Sequence, residues 1–533
     1  MKREKKNRIL NIDTSLRDPK RVKDFLEILF TYNNKILNKE IAEEVEKELI
    51  MKGFYRPQKL NVTIPDYREK LEFDEEEAKT IMNKFPQDHN QLGMKGWGGR
   101  FGTHYHNMII LGYCYLKLGE KIKFGESGTK LVKLNHEEEG KISQIHLNAV
   151  AHWQTDNPKV NNLNRNKHLS LILRLIKLFV KKTKKGILYR EIPIILCWKN
   201  NNEEELFNFL QLHRERINSR IRITKDKIDE ITLQFCSQIF NDEWNGIDKE
   251  GKIKLSGTKT KITTILKDYP DSFFRYLRHT TLIFKKRESG NSFIYFDQKQ
   301  ENKINYIIEK YSELKNFENL ESYFEYVSKL DPELYDDDII EILSDNTHLE
   351  KFIKEIGKEN IKNQLLSLGS GNKISKNEIL KDIEPSLRLE WLISLFSYSE
   401  TKDNIKKIKP NYHVNSDGQA IRHANGMSMK HSGADAVVYE NNSFFTLEPT
   451  LLTGTVQYLK ESPSTHRHLK KELEFNERKV GYCLQISPDP FFDTKQYAKH
   501  EPDFNLIPIS IKDFVKKIEE TKSFKKAFGE LAK

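Results

Sequence analysis

From Asp435 to Thr450 the chain reads DAVVYENNSFFTLEPT: hydrophobic and polar positions alternate, stop at an Asn pair, and alternate again. A period of two marks a strand with one buried face, and a short polar break between two such runs marks a hairpin. Elsewhere the apolar spacing is helical. VKDFLEILFTYNN and NKEIAEEVEKELIMKG repeat apolar residues every three or four positions, and the second ends at Gly53, a plausible helix terminator. KHLSLILRLIKLFVKKTKKGILYREIPIIL predicts an amphipathic helix from Leu169 to Lys181, a basic turn at Gly186 and a second helix from near Leu188, which is helix-turn-helix spacing.

Other segments are less regular. MKGWGGRFGTHYHNM holds four glycines and reads as a loop, and KIKFGESGTKLVKL reads as strand, turn, strand. Two helices followed by a short hairpin form the outline of a winged helix. SFFRYLRHTTLIFKKRESGNSFIYFD places Arg275, Arg278 and His279 on a helix or strand end before a hairpin turning at Ser289-Gly290-Asn291. KINYIIEKYSEL, NLESYFEYVSKL, DDDIIEILSD and HLEKFIKEIG predict an acidic helical connector, with SLGSGNKIS (Ser367 to Ser375) as its hinge. After about residue 376 come a helix PSLRLEWLISLFSY, the hairpin, a helix expected to start with Ser462 as cap and Pro463 as first residue, a buried-type strand KVGYCLQISP, and a strand-helix pair FNLIPISIKDFVKKIEE. That order is an α/β layered arrangement.

Length and charge sharpen this picture. At 533 residues the chain is too long for one core. The expected division is 1–165 and 166–300 as two recognition domains, 301–372 as the connector, and 373–533 as a C-terminal α/β domain. Between Glu313 and Glu350 twelve acids face two bases, so against a net charge of +11 the remainder carries +21, a balance suited to a polyanion such as nucleic acid. No apolar run spans a membrane. The charged N-terminus lacks the apolar core of a secretory signal, and four scattered cysteines fit a reducing cytoplasm. No Gly-rich cofactor loop follows a strand and no Asn/Asp-Pro-Pro-aromatic motif occurs, which argues against a methyltransferase.

The hairpin carries the candidate chemistry. Its turn returns the chain, so Asp435 and Glu448 come near each other. Two close carboxylates repel unless a cation lies between them, and Mg²⁺ prefers oxygen ligands while keeping positions for water and phosphate. Asp, about a dozen residues, then Glu-x-Lys is the pattern of PD-(D/E)xK nucleases; here position 450 is Thr.

The ungapped stretch from Asp435 through Glu474 resembles the catalytic segment of the AlwI family of type IIS restriction endonucleases, which includes strand-specific nicking relatives. The resemblance is strong across 385–490 and weaker over most of 85–515. It implies Asp435 and Glu448 as metal ligands, Glu461 and His468 as further catalytic residues, and Glu390, in its Glu-Trp-Leu setting, as another. It also implies a PD-(D/E)xK restriction-endonuclease-like domain behind helix-turn-helix or winged-helix-like recognition domains, Mg²⁺ as cofactor and a bacterial cytoplasm. Double-stranded DNA is the implied partner, with a separate methyltransferase guarding the host site. One nuclease domain cuts one strand, so a double-strand break needs a second, by homodimerisation or from a small subunit. Arg467 and Lys470 are candidates for phosphate contacts, and Arg100, Arg275 and Arg278 for DNA contacts in the N-terminal half. Two alternatives stand beside the endonuclease: the nicking large subunit of a heterodimer, and a DNA-binding regulator with a dead nuclease fold.

Overall fold

The computed structural model describes residues from Asn7 to Gly529 apart from short stretches, the longest of which are 9–13, 58–63, 337–345 and 424–432. The chain divides into two compact units, Met1–Lys285 with Asn291–Ile339, and Lys286–Gly290 with Ile340–Lys533.

In the first unit the main apolar core runs from Leu16 to Tyr335, with a smaller cluster of Ile50, Ile64, Phe73, Ala78, Ile81 and Trp97, so residues of both segments expected as recognition domains share the main core. The helix His168–Thr183 buries Leu169, Ile172, Leu175, Ile176 and Phe179 along one stripe and ends at Lys184, whose φ of 58° breaks it. The next helical segment begins near Leu188 as expected, with a 3-10 turn over Tyr189–Glu191 that runs directly into the α-helix Ile192–Cys197. Leu188 is held in a short strand paired with Phe293, and its N–H donates to Glu191 Oε2 at 2.8 Å. The hairpin Ile283–Glu288 and Asn291–Phe296 forms as expected and adds that strand to make a three-stranded sheet.

Two local expectations are corrected here. The glycine-rich stretch is helical, over Trp97–His104 and His106–Ile110. Its glycines serve close approach: a Cβ on Gly99 would lie 2.2 Å from the His89 carbonyl oxygen, and one on Gly102 2.6 Å from Gln91 Cβ. Likewise Lys123–Phe124 is a strand, but Glu126–Lys133 is a helix rather than a returning strand. Gly128 lets that helix meet Tyr113, whose carbonyl oxygen would be 1.9 Å from an added Cβ. The hairpin that completed the winged-helix outline is therefore not formed by residues 121–134. Gly99→Ala would gain about 1 kcal/mol of helix propensity, yet the obstacle is backbone and cannot swing aside. A net loss of at least about 2 kcal/mol is expected in urea unfolding; an unchanged midpoint would show that the helix can shift freely.

The acidic segment does not stand as a separate body. Glu301–Tyr311 and Leu320–Val327 belong to the first unit and bury Ile304, Ile307, Tyr311, Tyr323 and Val327. Asp331 is 5% exposed; its carboxylate accepts from the Tyr306 hydroxyl at 2.9 Å and Lys310 at 3.0 Å, and its N–H donates to Asn148 at 2.8 Å. An acid that counts toward a solvated connector in the sequence is thus an internal tie. Of DDDIIEILSD, residues 337–345 lie outside the described residues.

In the second unit, α1 (Thr347–Ile356), α2 (Lys358–Gly369) and α3 (Pro385–Thr401) precede a five-stranded sheet. The expected hinge begins inside α2. The strands are β1 (Lys407–Pro410), β2 (Ala436–Glu440), β3 (Ser443–Pro449), β4 (Val480–Ser487) and β5 (Leu506–Ser510), neighbours in that order. The first three are antiparallel, and β3, β4 and β5 run parallel. The crossovers are α4 (Gly454–Phe475) and α5 (Phe492–His500); α6 (Ile511–Thr521) and α7 (Phe524–Phe528) close the chain. Alternation sets the two faces. Ala436, Val438, Phe445, Leu447, Leu484 and Ile486 enter the large core with Trp391 and Phe514. Val437, Phe444, Cys483 and Leu506 meet Leu469 of α4 on the other face. The hairpin turns at Asn441, φ 51°, a conformation Asn tolerates. Glu440 beside it is structural: its carboxylate accepts from the Ser523 hydroxyl and from the Phe524 N–H at 2.7 Å, tethering the last helix.

Candidate active site

The second sheet face changes from apolar to polar at the carboxyl ends of β3 and β4. On β3, Phe444, Thr446 and Glu448 share it; on β4, Cys483, Gln485 and Ser487 do. Ala436 pairs with Leu447, so Asp435, one residue before β2, stands opposite Glu448. Asp435 is anchored through its carbonyl, which accepts the Asn411 N–H at 2.9 Å.

Two helices bring the remaining residues. α3 is buried nearly all round, with Leu389, Trp391 and Leu392 in the core, and carries Glu390, 6% exposed. Glu390 Oε1 is hydrogen-bonded to His423 Nδ1, while its Oε2 is buried with no hydrogen-bond partner. α4 begins at Gly454, nine residues before the expected first residue, so Pro463 lies inside it. That correction puts Glu461 and His468 on one helix, two turns apart and on one face. Polar anchoring reaches the early turns, where the Gln457 side-chain oxygen accepts the Phe491 N–H at 2.8 Å. From α4, His468 Nδ1 hydrogen-bonds Glu448 Oε1 at 2.9 Å, and the Thr450 hydroxyl donates to Glu461 Oε1 at 3.5 Å. Thus Asp435, Glu448, Glu461, His468 and Glu390, spread over 79 residues of sequence, come to one place.

Their charges interact. Burial pushes the Asp435 carboxyl well above its ordinary range, and the Glu390, Glu448 and Glu461 carboxylates push it further. Glu448 is raised by burial, with His468 opposing. Glu461 is raised by burial and by Glu448. Burial works against a charged His468, but Glu448 outweighs it and the imidazole stays raised. Acids that resist ionisation around a basic histidine form an environment a cation would relieve.

Among the described residues no three of His, Cys, Asp and Glu are close enough together to enclose a metal ion. Mg²⁺ needs no such enclosure: it takes one or two protein carboxylates and fills its other positions with water and phosphate. The donors are all oxygen, and the unpartnered Glu390 Oε2 lies buried in the same group, so the residues fit such an ion.

The basic candidates are scattered. Arg467 and Lys470 lie on the exposed side of α4. In the first unit, Arg100 is engaged by His104 and His89, each at 3.0 Å, and packs 4.7 Å over the Tyr55 ring. Arg275 pairs with Asp271 at 3.0 Å, and Arg278 lies 5.6 Å over Phe274 on the same helix. Sequence reading missed Gln485 and His423. A lone Gln inside an apolar strand was the available signal for the first; for the second there was none.

The arrangement is a cluster of buried acids and one histidine on an α/β sheet. A family model described as AlwI restriction endonuclease matches residues 109–363. The match contains Arg275 and Arg278 and ends before Glu390, so it does not reach the acidic centre. No curated protein matches the chain. Among solved structures, the small subunit of the heterodimeric restriction endonuclease R.BspD6I is similar at 19% identity and a TM-score of 0.25, covering 32% of this chain and 86% of that one. The restriction endonuclease FokI is similar at 11% identity and a TM-score of 0.22, covering 97% of each. Among the described residues no helix is long and apolar enough to cross a membrane.

Proposed function

We propose that this chain is a type IIS restriction endonuclease. It binds a short asymmetric DNA site through its N-terminal half and hydrolyses phosphodiester bonds outside that site with Mg²⁺. The observation that carries the reading is the convergence of Asp435, Glu448, Glu461, Glu390 and His468 at the carboxyl ends of adjacent strands, where α/β sheets hold their ligands.

Asp435 and Glu448 would hold the metal, in the manner of a PD-(D/E)xK site. When bound, Mg²⁺ lowers the pKa of a water and offsets charge on the phosphate. The chain's own residues do the rest. Glu448 accepts at His468 Nδ1 and favours the protonated imidazole, which leaves Nε2–H to donate. Hydrolysis adds a water oxygen to phosphorus and breaks one P–O ester bond, and the departing alkoxide needs a proton; Nε2–H of His468 supplies it. Thr450, where the general pattern has Lys, holds Glu461 instead. Arg467 and Lys470 on the same helix meet flanking phosphates. In the first unit, the helices His168–Thr183 and Ile192–Cys197 with the sheet containing hairpin 283–296 make a winged-helix-like recognition element.

Digestion of supercoiled plasmid with Mg²⁺, followed by sequencing of the ends, tests the proposal. Breaks at a fixed offset from one short asymmetric sequence are expected. Only open circles at long times would favour the nicking large subunit of a heterodimer. Intact plasmid bound site-specifically at every metal concentration would favour the inactive regulator.

A further inference from the structure

Gln485 is a fully buried amide on the catalytic face of the sheet whose side chain lacks any hydrogen-bond partner. It is 1% exposed, and neither its Oε1 nor its Nε2 has a hydrogen-bond partner. An amide carries two donors and two acceptor lone pairs, and interiors rarely leave all of them unmet. The parallel register pairs Gln485 with Glu448, which places the two side chains on one face, a strand spacing of about 4.8 Å apart. One step along, Ser487 on β4 is fully buried with its hydroxyl also unpartnered, and it lies beside Thr450, whose N–H donates to Ile486 O at 2.8 Å. Glu448, Thr450, Gln485 and Ser487 therefore tile a polar patch at the ends of two parallel strands, while Leu447, Leu484 and Ile486 face the apolar core. The Glu448 and Thr450 side chains meet partners from α4; that of Gln485 meets none.

We infer that Gln485 is a further catalytic residue of this centre: its Oε1 accepts from the attacking water and its Nε2 donates to a phosphate oxygen. This rests on the nuclease reading. The amide is neutral, so it cannot lower the water's pKa as a lysine ammonium would; it orients the nucleophile and leaves activation to the acidic cluster. It also explains why a polar residue persists in a strand that otherwise buries Leu484 and Ile486: the unmet donors and acceptors wait for groups that arrive with the substrate.

Wild type, Gln485→Leu and Gln485→Met are compared for single-turnover plasmid cleavage, for DNA affinity without divalent metal, and for thermal unfolding of the metal-free protein. Both variants are expected to cut at least about 100-fold more slowly, with affinity unchanged within about twofold and a melting midpoint equal to or above wild type. A structural amide predicts the opposite thermal result, so a lowered midpoint or failure to fold in both variants overturns the inference, as does cleavage at the wild-type rate. Wild type that leaves DNA intact sinks the nuclease reading itself, an outcome separate from an active wild type with equally active variants.

Discussion

Asp435→Asn is expected to abolish cleavage while making the metal-free protein more stable. The substitution removes one negative charge and keeps the shape. If Asp435 is a metal ligand, the cleavage rate falls at least about 10³-fold, roughly 4 kcal/mol of transition-state stabilisation. The stability gain follows from the same crowding that makes the site useful. Asp435, Glu448 and Glu461 all have carboxyl pKa values raised by burial and by neighbouring carboxylates. A carboxyl raised in the folded state binds more protons than its unfolded counterpart between the two pKa values. Its contribution to stability is therefore greatest below the unfolded value near 4 and is lost as pH rises through the folded one. As pH rises through those raised values the wild-type cluster becomes charged and self-repelling, and a neutral amide at position 435 relieves part of that. For a unit of this size each kcal/mol regained raises the melting midpoint by roughly 2–4 °C. Mg²⁺ should raise the wild-type midpoint and leave that of Asp435→Asn nearly unchanged. Calorimetry with and without Mg²⁺ tests this. A variant that melts lower, or that still responds to Mg²⁺ like wild type, would remove Asp435 from the metal site. Glu448→Ala should lose cleavage as fully but gain less stability, because it strands His468 without its partner.

The second large effect lies in the first unit, which should unfold in mild acid. Burial drives His146 and His168 down to a pKa of about 3, and His152 and His213 to about 4. His146 Nδ1 is hydrogen-bonded to the Tyr113 hydroxyl at 2.6 Å, and the ring is held neutral in the core. Each depressed histidine gives stability that is complete above the unfolded value of about 6.5 and is lost as pH falls from there toward the folded value. Four such groups make stability fall by about 5 kcal/mol per pH unit at the steepest, against a typical total of about 5–15. The raised acids of the second unit act in the opposite sense over their own range. Two acid transitions are therefore expected, with the first unit going first, between about pH 6 and 4. Four of the five tryptophans lie in the first unit and Trp391 in the second, so fluorescence will report mainly the earlier one. A single transition below about pH 4 would show that these histidines are not held neutral.

Much of this was legible in the sequence because period and spacing are local. Helix 168–183 and the hairpin of β2 and β3 appear close to their expected limits, since burial on one face leaves a periodic trace whatever the partner. The hairpin's two acids were also legible, because register follows from a short turn. Wherever the signal depended on a distant neighbour, the reading failed. Four glycines near residue 98 looked like a loop, yet they make a helix that needs room against the backbone at His89. Ser462-Pro463 looked like a helix start, yet packing of α4 on the sheet carries the helix through it. The acids around Asp331 looked solvated, yet two tyrosines and a lysine enclose one of them.

What the sequence determined by itself was the set of acids, their intervals and the family they resemble. What only the tertiary structure decided was that Glu390 is buried, that Glu461 and His468 share one face of a helix above Glu448, and that Gln485 lies beside them. Sequence spacing carries the first kind of information because strands and helices repeat at fixed rise. It cannot carry the second, because the pairing of β3 with β4 joins residues 37 positions apart through a crossover whose register is chosen by which side chains the core will accept.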